Sequence, residues 1–103
     1  MIAVATVLLS SAPARADRID GNWCHRDGRH MSVDGPTIVT PGGTKMTGKY
    51  DRHGFEYVVP AGEAGAGDEV VMRQLNETTI QVMTITGGNP SPWEIWNRCD
   101  LSA

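Results

Sequence analysis

The sequence predicts an all-β domain, a small antiparallel up-and-down barrel of about eight short strands, with a β-sandwich as the alternative packing. Three observations carry that expectation. Turn signals recur every few residues after Asp17, the runs between them alternate with a period of two, and no stretch has the apolar spacing of a useful amphipathic helix.

The elements follow in order. Ile19 to His25 alternates Ile, Gly and Trp on one face with Asp, Asn and Cys on the other, and Arg26-Asp27-Gly28 turns the chain. His30 to Val33 and Thr37 to Thr40 are two short strands around Asp34-Gly35-Pro36. Pro41-Gly42-Gly43 is the next break. Thr44 to Tyr50 and Phe55 to Val59 form a hairpin about Asp51-Arg52-His53-Gly54. Pro60 to Asp68 has little to bury and too many glycines for a helix, so it is expected as the longest loop, flexible and a functional tip. Glu69 to Leu75 and Thr78 to Thr86 are the clearest strands, joined at Asn76-Glu77; Gly87 to Pro92 is a second irregular loop, and Trp93 to Cys99 closes the domain.

Composition sets the class. The chain has 103 residues, which allows one core, and a formal net charge of −3, which argues against a dedicated nucleic-acid binder. Hydrophobic residues at 40% and charged residues at 20% fit a folded domain rather than a disordered one, and no apolar run is long enough for a membrane span. Met1 to Ala16 reads as a signal peptide: an apolar run from Ile2 to Leu9, then small residues ending in Ala14-Arg15-Ala16, with cleavage before Asp17. No basic residue follows Met1, and a buried N-terminal strand is the alternative reading of the same run. Cleavage would leave one domain, residues 17–103, with a net charge of −4, exported to the periplasm or secreted.

A domain of that size has a marginal core, and its two cysteines sit near its ends. In an oxidising compartment Cys24 and Cys99 are expected to form a structural disulfide; the loop it closes corresponds to about 4 kcal/mol of chain entropy. If the first and last strands are neighbours with Cys24 opposite Cys99, Trp23 falls opposite Asp100 and diagonal to Arg98. Trp23 and Arg98 then share the face away from the disulfide, where guanidinium can stack on indole.

Gly21-Asn22-Trp23 in the first strand with Arg98 in the last resembles the Gly-x-Trp and closing Arg of calycin-type barrels. Those include lipocalins, avidins and small secreted bacterial inhibitors of metalloproteases. The resemblance covers about a tenth of the chain and implies an architecture; the placement of Cys24 directly after the Trp departs from the inhibitors.

No catalytic motif is visible. There is no Gly-x-Ser-x-Gly elbow, His-Glu-x-x-His or phosphate loop, and His25, Asp27 and Ser32 lie too close along one strand and turn to assemble as a triad. The expectation is a non-enzyme without a cofactor. His25, Asp27 and His30 bracket one turn and form the candidate metal set, the plainer reading being surface hydrogen bonding. Trp93 and Trp96 have opposite parity, so one of them faces away from the interior. With Glu63 and Asp68 of the long loop they are the candidate binding residues. Two functions follow: a monomeric binding or inhibitor domain contacting a periplasmic or extracellular protein through its loops, or a domain binding a small ligand or metal, for which a short barrel's filled interior leaves at best a narrow site.

Overall fold

The structure, a computed structural model, describes residues 18–99. The expected leader and Asp100 lie outside the described residues. The strands are β1 (Gly21–Cys24), β2 (His30–Asp34), β3 (Thr37–Val39), β4 (Lys45–Thr47), β5 (Lys49–Asp51), β6 (Gly54–Val58), β7 (Glu69–Asn76), β8 (Thr79–Thr86), β9 (Asn89–Pro90) and β10 (Glu94–Arg98). Among the described residues there is no helix, so none is long and apolar enough to cross a membrane.

All pairings are antiparallel, in the order β4-β3-β2-β1-β10-β8-β7-β6-β5, with β9 added at β8. Strands β1 to β4 and β5 to β9 each lie beside their neighbours in sequence, while β10 pairs with β8 and with β1, which joins the two ends of the sheet-forming chain. The sheet is a nearly closed up-and-down barrel, not a sandwich. Its seam is the run expected to be one straight strand. Thr44 to Tyr50 divides at Gly48: β4 pairs with β3, and only β5 pairs with β6. One bent segment thus supplies both edges of the sheet. Glycine is required at the bend because a Cβ on Gly48 would lie 2.5 Å from the Glu56 carbonyl oxygen and 2.6 Å from the Phe55 ring, while its N–H donates to Pro36 O at 2.9 Å.

Alternation decides what points inward. Trp23 of β1, Met31 and Val33 of β2, Ile38 of β3, Phe55 and Tyr57 of β6, Val70 and Met72 of β7, Ile80 and Val82 of β8 and Trp96 of β10 form one buried core. Cys24 and Cys99 are bridged, as expected, on the face of β1 and β10 away from Trp23. The register differs from expectation by two residues. Trp23 lies directly opposite Arg98 and Cys24 opposite Asn97, so the disulfide runs diagonally. A two-residue offset preserves every side chain's face, which is why parity was predictable and position was not.

The N-terminal approach also departs from a simple strand. Asp20, expected on the face opposite Trp23, is 4% exposed, and Ile19 is fully buried. Extended alternation ends at Gly21, whose φ of +129° turns residues 18–20 across the lower end of the barrel. Arg98 holds them there: its Nη1 and Nη2 donate to the carbonyls of Asp20 and Arg18, each at 2.7 Å, and its guanidinium carbon lies 4.3 Å from the Trp23 ring centroid. Asp20 accepts from the Tyr50 hydroxyl and, at 2.7 Å, from Gly35 N–H, while Ile19 N–H donates to Arg52 O at 2.9 Å. One end of the barrel is sealed by these bonds.

Candidate functional site at the open end of the barrel

Up-and-down topology gathers alternate connections at each end. The end opposite the Asp20 seal carries the β1–β2 turn and the β3–β4, β6–β7 and β8–β10 connections. Between them opens a cavity of about 500 Å³. Its floor is Met31, Tyr57, Val70, Val82 and Trp96; its rim includes Arg29, Gly42, Glu63, Asp68, Thr84 and Glu94. A filled barrel with a narrow site was the expectation. Instead, the large side chains Trp23, Phe55 and Ile19 fill the sealed half, and the open half retains a volume in the usual range for small-molecule sites.

Two latches fix the rim. On one side, Arg29 in the β1–β2 turn forms a two-pronged bond to Glu94 at the start of β10, Nη1 to Oε1 at 3.1 Å and Nη2 to Oε2 at 2.8 Å. Its Nε donates to Asp27 at 2.8 Å, and the guanidinium carbon lies 5.1 Å from the Trp96 ring centroid. The bond from Arg29 is the main cause that holds the Glu94 carboxyl below its ordinary range, and the same contact raises Arg29. On the other side, Glu63 of the long loop reaches across to the β3–β4 connection. Its Oε2 accepts from the hydroxyls of Thr40 at 2.6 Å and Thr44 at 2.5 Å, which lower its pKa. Glu63 packs over Gly42, where a Cβ would run into the carboxylate. Rather than a flexible tip, residues 60–68 form a cap of successive turns, with Val59 N–H to Asp68 O and Gly67 N–H to Val59 O both at 2.9 Å.

Three polar side chains lining the cavity are not spent on the fold. Tyr57 is 6% exposed and lines the cavity, yet its hydroxyl has no hydrogen-bond partner among the described residues. Burial pushes this phenol up to about 12, and the charge of nearby Glu63 adds to the effect. The Asp68 carboxylate on the rim likewise has no hydrogen-bond or ion-pair partner among the described residues. The Thr84 hydroxyl on the rim is the third, also without a hydrogen-bond partner among the described residues. Elsewhere the Trp96 ring N–H points to Glu94 at 3.4 Å, and all of the Arg29 bonds named above go to carboxylates.

Of the candidate binding residues, Glu63, Asp68 and Trp96 therefore meet at one cavity, Trp96 from the floor at 1% exposure. Trp93 does not line it; it stands outward at 40% exposure, as opposite parity requires. The metal set does not converge. His25 Nδ1 lies 2.9 Å from Asp27 and the ring packs edge-on against Trp96, whereas His30 is exposed on β2. No group of three His, Cys, Asp or Glu side chains suited to a metal occurs among the described residues. Sequence reasoning missed Tyr57, Arg29 and Glu94. Tyr57 shares parity with Phe55, a usable signal, but Arg29 and Glu94 are 65 residues apart and nothing local couples them. No protein-family model, curated protein or solved structure matches the chain.

Proposed function

We propose that this chain is an exported, non-catalytic binding domain that holds a small organic molecule with an apolar body in the open end of its barrel. The observation that carries the reading is the cavity of about 500 Å³ itself, with an apolar, aromatic floor under a latched polar rim. Apolar surface of this kind gains by leaving water, and a rim already held in place loses little freedom on binding. The Gly21-x-Trp23 and Arg98 frame, which resembles calycin-type barrels, supports the same reading, and the Cys24–Cys99 disulfide suits an oxidising compartment.

Titration with the neutral dye Nile red, followed by fluorescence and by native mass spectrometry, tests it. Saturable one-to-one binding is expected, and Thr84→Trp, which places an indole in the cavity, should abolish it without loss of the folded circular-dichroism spectrum. Absence of saturable binding, or binding unchanged by Thr84→Trp, overturns the reading.

A second reading, a partner protein contacted through the loops, is favoured by exposed Trp93 on the connection into β10, at the same end as residues 60–68. Residues 18–20, where the described chain begins, lie at the sealed end, away from these loops. Inhibition assays against zinc metalloproteases, with Trp93→Ala as the variant, test it; inhibition indifferent to Trp93→Ala would count against the loop contact.

A further inference from the structure

We propose that the molecule taken up is an organic cation, a protonated amine or guanidine on an apolar or aromatic body, with its N–H groups directed to Asp68 and the Tyr57 hydroxyl oxygen. The inference rests on the cavity reading above and deepens it.

The inventory of donors and acceptors around the cavity points one way. Among the described residues Arg29 is the one cation on the rim, and it is answered by both Glu94 and Asp27, so that group as a whole carries an excess of negative charge. Glu63 adds a second carboxylate, held charged by the hydroxyls of Thr40 and Thr44. Asp68 adds a third, and it is the one whose oxygens have no partner among the described residues. An anionic ligand would meet three carboxylates with the guanidinium already engaged. A cation would meet the reverse, between carboxylates gathered at the mouth of a concave site.

Tyr57 supplies the independent observation. Tyr57 is 6% exposed and lines the cavity, and its hydroxyl, without a partner among the described residues, is left to water or to a guest rather than used by the fold. Its hydroxyl can accept from an ammonium or guanidinium N–H while donating to a second polar atom of the guest. Below it, Trp96 and Met31 offer the apolar contact that an aromatic or alkyl body needs. A metal ion does not suit this site, since no three ligating side chains converge among the described residues.

The test uses one body with three head groups: 4-phenylbutylamine, 4-phenylbutanol and 4-phenylbutyrate, titrated into the full chain by calorimetry with two-dimensional NMR to locate the contact. The amine should bind on the order of tenfold tighter than the alcohol, and the acid weakest of the three. Asp68→Asn should remove most of the amine's advantage and leave alcohol binding unchanged. Tyr57→Phe should weaken amine binding several-fold while leaving the free protein as stable as before, because the hydroxyl makes no bond within the described fold. Equal binding of amine and alcohol, or preference for the acid, overturns the cation assignment while the cavity reading survives. Failure of all three to bind overturns both.

Discussion

At the scale of single residues, Gly21 shows how a short motif earns its place. Its φ of +129° turns residues 18–20 under the barrel, and the missing side chain is space that Arg98 occupies on its way to the Asp20 carbonyl. Gly21→Ala should therefore cost about 1–3 kcal/mol through backbone strain and displacement of Arg98 from Trp23, read as a lower urea midpoint. The Gly-x-Trp and Arg pair was legible in sequence because parity places both on one face. Asp20 was not. Its burial follows from the turn at Gly21, and its partners Tyr50 and Gly35 come from distant parts of the chain.

Among the elements, the seam between β4 and β5 decides whether the barrel forms. Sequence reading saw one strand from Thr44 to Tyr50, since nothing in Met-Thr-Gly-Lys-Tyr announces a change of partner. The bend exists because two neighbouring strands must be paired by one segment, β3 above and β6 below. Gly48→Ala should destabilise the fold by about 1–3 kcal/mol, since the added methyl meets the Glu56 carbonyl and the Phe55 ring. Gly28→Ala is the control. That glycine also has a positive φ, but no neighbour lies within 4 Å of its Cβ position, so about 1 kcal/mol of backbone strain is expected. Comparable losses for both substitutions would show that the seam is not tightly packed. The hairpin strands β7 and β8, by contrast, were placed within a residue of their observed bounds, because long period-two runs around a two-residue turn leave little choice.

The whole molecule is held by a staple and by carboxylates whose ionised forms the fold favours. The Cys24–Cys99 bond spans a separation of 75 residues, so reduction should lower stability by about 4 kcal/mol, measured as the shift of the unfolding midpoint with dithiothreitol. Thiol titration of the unfolded, unreduced protein should find none at these two positions. Acid should act through Asp20, Glu63 and Glu94, all lowered. At Asp20 burial opposes ionisation, but the bonds from Tyr50 and Gly35 outweigh it together with the charge of Arg18; at Glu63 and Glu94 the bonds from Thr40 and Arg29 lead. Because these folded-state values lie below the unfolded ones, the unfolded chain binds more protons as pH falls. The stability they contribute is present above about pH 4.5 and is lost as pH drops through the folded values. Urea midpoints from pH 6 to pH 2 should trace that loss, and Glu94→Gln should flatten it; an unchanged acid limb would exclude the Arg29 latch as a contributor.

Local chemistry in the sequence settled most of the strands, the shared face of Trp23 and Arg98, the opposite facing of Trp93 and Trp96, and the joining of the two ends by Cys24 and Cys99. Each of these depends on alternation, turn residues or two reactive atoms, all written within a few neighbouring positions. The two-residue register, the bend at Gly48, the Arg29–Glu94 and Glu63–Thr40 latches and the cavity between them were decided only when the barrel closed. They depend on which of four loops meet at one end and how far each side chain reaches. No periodicity encodes those distances, and so the Tyr57 hydroxyl, without a partner among the described residues and lining the cavity, becomes visible only in three dimensions.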